Sequence, residues 1–156
     1  MNVVLFKGRG LMSRLIEWQT RGEYSHAALL DEQTDILYEA WQFAGVRAQR
    51  DWSKSGHNDD TAHLFRFAQD ESEHAAIRDF LIDQLGKKYD WMSIARFVSK
   101  TNITPEAKEK WFCSELVFAA IKSAGIELFR NTEPWEVSPD MLKRSPYLRE
   151  YPKGLL

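Results

Sequence analysis

An α+β fold built on an antiparallel sheet is what this sequence predicts, on three observations. Strand-like apolar runs crowd the first part of the chain, from Asn2–Phe6 to Thr61–Phe67. Apolar stripes at helical spacing fill much of the second half. Two of the early runs flank the polar turn Asp31-Glu32-Gln33-Thr34, which is too short for a crossover and so joins antiparallel neighbours. With 156 residues, 44% hydrophobic and 28% charged, the chain suffices for one domain over residues 1–156 whose core needs no disulfide staples. No internal repeat, low-complexity tract or Pro/Gly/Ser linker divides it.

Taken in order, Asn2–Phe6 reads as a short buried strand ended by Gly8-Arg9-Gly10. Leu11–Thr20 is helical, with Leu11, Leu15 and Trp18 on one stripe and Gly22 closing it. Ser25–Leu30 and Asp35–Trp41 form a hairpin, Gly45–Trp52 holds a further strand, and a loop runs from Ser53 to Asp60 before the strand Thr61–Phe67. Asp70 with Glu73 makes a capping box for a helix whose stripe is Ile77, Phe80, Leu81 and Leu85, stopped by Gly86. Tyr89–Ser99 is read as a helix. Cys113–Ala124 is the clearest one, because Leu116, Val117, Ala120, Ile121 and Ala124 recur at helical spacing and Gly125 sits at C′. A short helix at Pro139–Lys143 and an irregular tail complete the chain.

The charge balance is even, 21 Lys+Arg against 23 Asp+Glu for a net −2, so no basic excess points to nucleic acid. A single cysteine excludes an intramolecular disulfide and gives no sign of an oxidising compartment. Met1–Phe6 is too short for a secretory apolar region, with Lys7 and Arg9 after it rather than before. No run approaches the ~20 apolar residues of a membrane span. The expectation is therefore a cytoplasmic protein, or one exported without a cleaved signal peptide, with no integral membrane segment. Aromatic residues at 13%, including 6 Trp, suit either an aromatic core or a cleft walled by rings.

Two residues carry candidate chemistry. Cys113 opens the strongest helix, where unpaired backbone N–H groups and a partial positive charge stabilise a thiolate and could bind an oxyanion. On that ground its pKa is expected to fall below the free value; an inert buried cysteine is the alternative. His26 starts a strand. If Leu30 pairs with Asp35 across the turn, His26 stands directly opposite Glu39, with Cβ atoms roughly 4.5–5.5 Å apart. A carboxylate there would fix the imidazole tautomer and support the imidazolium.

The runs Gly22-Glu23-Tyr24-Ser25-His26, Tyr38-Glu39-Ala40, Tyr89-Asp90-Trp91 and Phe112-Cys113-Ser114-Glu115-Leu116 resemble the circularly permuted NlpC-type papain-like cysteine hydrolases, the YiiX/YebB-like group. In ordinary NlpC and papain-like enzymes the cysteine helix precedes the histidine strand; in this group, as here, the order is reversed. The resemblance covers residues 22 to 116. It implies a papain-like core in permuted order, with Cys113 as nucleophile, His26 as base and Glu39 orienting His26. It further implies a small peptide, a peptidoglycan fragment or an acyl-lipid as substrate, cleaved through a thioester. Acyl transfer on the same triad, or a non-catalytic binding module, are the alternatives. The chain departs from the cell-wall enzymes of the wider family in showing no signal peptide. The loops around Val46–Asp60 and Lys100–Lys110 match no substrate pocket.

Other residues complete the candidate set. Tyr24 and Tyr89 are candidate substrate-binding residues that could wall the cleft or donate to an oxyanion, with packing as the alternative for each. Glu115 is either a second carboxylate of the site or a dipole-stabilising residue near N2. His57, His63 and His74 show no metal-ligand spacing. A zinc site from Cys113, His26 and Glu39 is the metal alternative, and the helix-start placement of Cys113 favours catalysis over ligation. The catalytic reading calls for no cofactor and no metal.

Overall fold

The computed structural model describes residues 1–8, 11–50, 62–92 and 109–151, with the backbone alone for residues 11, 12 and 19. The strands are β1 (Asn2–Phe6), β2 (His26–Asp31), β3 (Ile36–Trp41), β4 (Gly45–Gln49), β5 (Ala62–Arg66), β6 (Lys88–Tyr89), β7 (Lys110–Trp111) and β8 (Arg149–Glu150). The α-helices are α1 (Leu11–Thr20), α2 (Glu71–Gln84), α3 (Cys113–Ser123) and α4 (Pro139–Lys143). Six strands form one antiparallel sheet in the order β4-β3-β2-β1-β5-β8, and β6 and β7 pair in parallel beside it. The fold is α+β.

Strand alternation divides the sheet's side chains between two apolar clusters. Val3, Leu5, Ala27, Leu29, Tyr38, Ala40 and Phe65 belong to the larger one, which α3 completes with Leu116, Val117, Ala120 and Ile121. Val4, Phe6, Ala28, Leu30 and Leu37, the alternate positions, make the smaller one. Both rows of β1 are buried, which is why Asn2–Phe6 reads as a continuous apolar run rather than an alternation.

The helices follow their end signals. Asp70 Oδ1 accepts the Glu73 N–H at 2.8 Å while Glu73 Oε2 accepts the Asp70 N–H at 2.7 Å, the reciprocal capping box of α2. Its buried line is His74, Ile77, Leu81 and Gln84, so Leu85 is exposed rather than on the expected stripe. The α1 stripe is corrected in the same way. Among its described side chains Ile16 is the buried one, Leu15 is exposed and Trp18 is 73% exposed, while the side chain of residue 11 lies outside the described ones. Helical period alone sets a helix's rotation only to about one residue, and tertiary contact, with α3 in the case of α2, decides the rest.

The hairpin register also differs from the expected one. Leu30 pairs with Leu37, not Asp35, and Asp31 joins the strand opposite Ile36. Asp35 takes a positive φ of 54° in the turn, a conformation that Asp tolerates. The displacement is two residues, so every side chain keeps its face. His26 and Glu39 thereby become diagonal neighbours rather than direct ones. Tyr89 lies in β6, paired with Trp111, so the helix read from Tyr89 does not begin there; 93–99 fall outside the described residues. The loop Ser53–Asp60 and the end of the Gly45–Trp52 strand also fall outside them, as do 100–108 of the second loop. Strands β7 and β8 are too short to carry a periodic signal.

Gly45 fixes how β4 meets β6. Its φ is +72°, and a Cβ there would stand 2.2 Å from the Lys87 carbonyl oxygen. That approach lets Val46 N–H reach Lys87 O at 2.8 Å and Gly86 N–H reach Val46 O at 2.9 Å. Among the described residues no helix is long and apolar enough to cross a membrane.

Candidate active site

Cys113 is the first residue of α3, after Phe112 in extended conformation at the N-cap. Glu115 Oε2 accepts the Phe112 N–H at 3.3 Å, so this carboxylate caps the helix and is accounted for as a dipole-stabilising group. The Cys113 side chain is 0% exposed. Backbone N–H groups of Ala27, Ser114 and Cys113 itself act on its sulfur in the direction that favours the thiolate. The ladder between β2 and β3 runs over Leu29–Asp31 and Ile36–Tyr38, short of Ala27, and α3 brings the thiol to the Ala27 N–H.

Those N–H groups favour a thiolate, but burial outweighs them. Desolvation pushes the Cys113 pKa up to about 12, with the Glu39 charge adding in the same direction. The expectation of a lowered pKa therefore fails for the resting structure. A helix terminus contributes partial charges only, while removal from water acts on the whole anion.

Glu39 is likewise 0% exposed and uses both oxygens. His26 Nε2 stands 2.7 Å from Oε2, while Arg47 donates to Oε1 from Nε at 2.9 Å and from Nη2 at 2.7 Å. A buried carboxylate needs such compensation to remain ionised. Because a carboxylate only accepts, Nε2 carries the imidazole proton, and a neutral His26 then has its lone pair on Nδ1. Trp41 stands edge-on to His26 at 5.5 Å between ring centres, and the Arg47 guanidinium lies 4.6 Å from the Trp41 ring centre. His26, Glu39, Trp41 and Arg47 thus form one polar and aromatic layer across β2, β3 and β4.

The structure brings His26 and Glu39 into direct contact and puts Cys113 within range of the Glu39 charge. The backbone groups that act on the thiol belong both to β2, at Ala27, and to the first turn of its own helix. Tyr89 joins this neighbourhood from β6. Its ring meets Phe112 at 5.8 Å and Trp91 at 5.1 Å, and burial raises its pKa, with Cys113 and Asp90 adding to the rise. Tyr24 does not line an open cleft. It is 1% exposed, packed edge-on against His63 and Phe65 on the β5 side, with its pKa pushed by burial up to about 12. That enclosure by rings is the setting of a packing tyrosine.

The other histidines lie apart from this layer. His63 Nδ1 pairs with Glu150 Oε1 at 2.8 Å, and His74 Nε2 with Asp31 Oδ1 at 3.1 Å; His57 is outside the described residues. Arg47 is the site residue that sequence reasoning missed. The signal was present: Glu39 and Arg47 are equidistant from Phe43 at the tip of the β3–β4 turn, and they pair directly. Opposite charges at mirrored positions about a tight turn are cross-strand partners.

No protein-family model and no curated protein sequence matches the chain. Five chains of solved structures do. Among them is the crystal structure of metalloprotein YiiX from Escherichia coli O157:H7 (DUF1105), with a TM-score of 0.71 and 18% sequence identity over 98% of this chain and 96% of that one. At that identity the likeness shows the fold: this chain has a YiiX-like fold over nearly its whole length.

Proposed function

We propose that this YiiX-like domain is a permuted papain-like cysteine hydrolase that cleaves an amide bond in a small peptide or cell-wall-type substrate through a thioester. The observation that carries the reading is the 2.7 Å bond between His26 and the buried Glu39, on the strand whose Ala27 meets the helix-opening Cys113. In the proposed reaction the S–H proton of Cys113 passes to Nδ1 of His26 as sulfur bonds to the substrate carbonyl carbon. The carbonyl π electrons move to oxygen, where the Cys113 and Ser114 N–H groups stabilise them. Collapse breaks the C–N bond, and the amine leaves with the proton returned by His26. Water then attacks the thioester by the same route in reverse, releasing the acid. Glu39 holds the tautomer and keeps accepting the Nε2–H bond when the ring is transiently protonated.

No group of three or more His, Cys, Asp or Glu suited to a metal ion occurs among the described residues. The Glu39 oxygens are already bound to His26 and Arg47, and a guanidinium is a poor neighbour for a cation. One observation favours a different reading, a domain that binds without catalysis. Cys113 is fully buried with a high pKa, as structural cysteines are.

The deciding experiment is incubation with small peptides, peptidoglycan fragments and phospholipids, with product analysis and intact-mass detection of an acyl group on Cys113. Turnover abolished by Cys113→Ala, with a trapped thioester, supports hydrolysis. An acyl group passed to an amine or lipid instead of water would identify acyl transfer. Absence of any adduct across the panel, with no turnover, would leave the binding module.

A further inference from the structure

We infer that Arg47 is a positioning residue that keeps His26 neutral at rest, by supplying the buried Glu39 with a permanent counter-charge. The inference rests on the proposed role of His26 only for its catalytic meaning. The geometry stands by itself: Glu39 has 0% side-chain exposure, both oxygens are engaged, and Arg47 makes two bonds to Oε1 from the directly paired position on β4.

Consider the pair without Arg47. A buried carboxylate 2.7 Å from an imidazole attracts a proton onto that ring, and the imidazolium is favoured more than it is with Arg47 present. An imidazolium has no lone pair and cannot accept the Cys113 proton. With the guanidinium in place, Glu39 is compensated whatever the state of His26. Protonating His26 then adds a net positive charge to a part-buried layer instead of cancelling a negative one. Neutral imidazole is favoured, with Nε2–H held on Glu39 and the Nδ1 lone pair retained. The raised pKa of the buried Cys113 thiol fits the same resting state, an uncharged thiol beside an uncharged imidazole.

Arg47 is well suited to the task. A guanidinium does not titrate in the accessible range, and its fork is held by stacking over Trp41, the ring that also meets His26 edge-on. The charged and titratable groups on the described elements around His26 are Lys7 after β1, Asp31 on β2, Tyr38 and Glu39 on β3, Arg47 on β4, Lys88, Tyr89 and Asp90 at β6, and Cys113, Glu115 and Lys122 on α3. Lys7 is paired with Glu23 at 2.7 Å, and Glu115 caps α3. Of this set, Glu39 bonds the ring directly and Arg47 bonds Glu39.

The test is an NMR titration of the His26 ring protons, assigned by their loss in His26→Asn. In Arg47→Met, which keeps an apolar stem over Trp41, the ring should hold its proton about ten- to a hundredfold more tightly, and its pKa should rise accordingly. Arg47→Lys, which restores the charge without the fork, should bring most of that rise back. Should Arg47→Met fail to fold, Glu39→Gln is compared with Glu39→Gln/Arg47→Met. Neither carries the buried anion, so the double variant should titrate higher than the single one. A His26 pKa that stays put or falls on loss of the guanidinium, in either comparison, overturns the inference. The titration needs no turnover, so it stands or falls separately from the hydrolase reading. Where turnover is found, the acid limb of kcat/KM should move up in pH with the ring.

Discussion

Iodoacetamide reads the state of the Cys113 thiol directly, because the thiolate is the reacting species. Burial lifts the pKa from an ordinary 9.0 to about 12. That rise makes the thiolate roughly a thousandfold scarcer at neutral pH than in a free thiol. The side chain is also 0% exposed, so reagent must enter through a transient opening. Both effects slow the folded protein. The expected result is alkylation of native protein at pH 7.5 about a thousandfold slower than of the same protein in urea, rising with pH without a plateau below about pH 10. Intact mass spectrometry follows the single cysteine without ambiguity. Alkylation at pH 6.5 faster than a model thiol, and slowed by His26→Ala, would refute this account. It would mean that a thiolate–imidazolium pair exists at rest, and that the helix-end N–H groups outweigh burial after all.

Three further outcomes are expected. Glu39→Gln should cost stability as well as turnover, on the order of 3 kcal/mol in urea melts, because it leaves the largely buried Arg47 without its carboxylate; a loss under about 1 kcal/mol would show that the ion pair is not held as described. Gly45→Ala should destabilise by more than about 2 kcal/mol, since the new methyl meets the Lys87 carbonyl and φ is +72°; an unchanged melting temperature would contradict the close β4–β6 approach. At alkaline pH, Cys113 and Tyr24 both hold folded-state pKa values raised to about 12. Raised values stabilise the fold below the unfolded pKa, and that stabilisation is lost as pH rises from about 9 toward 12, with Cys113 alone losing about 2 kcal/mol by pH 10.5. The urea midpoint should fall between pH 8 and 10.5, less steeply in Cys113→Ala, and a flat midpoint would count against burial as the cause.

Local signals were enough for much of this protein. The capping box Asp70/Glu73, the glycine at 125 with φ +82° and the apolar period of 116–124 place their helices because each acts within a few residues of chain. The His26–Glu39 contact was legible through hairpin parity, and survived a two-residue error in register because strands repeat every two residues. The rotation of α1 and α2 was not legible, since it depends on which tertiary neighbours the helices meet, α3 in the case of α2. Arg47 was legible in principle, by mirror counting about Phe43, yet its importance emerges only once Glu39 is known to be wholly buried. The Cys113 thiol shows the division most clearly. Its position at the start of a helix follows from sequence and argues for a lowered pKa. Its enclosure between α3 and β2 comes from tertiary packing and raises that pKa, because solvation depends on every neighbour around an atom and not on the chain that carries it.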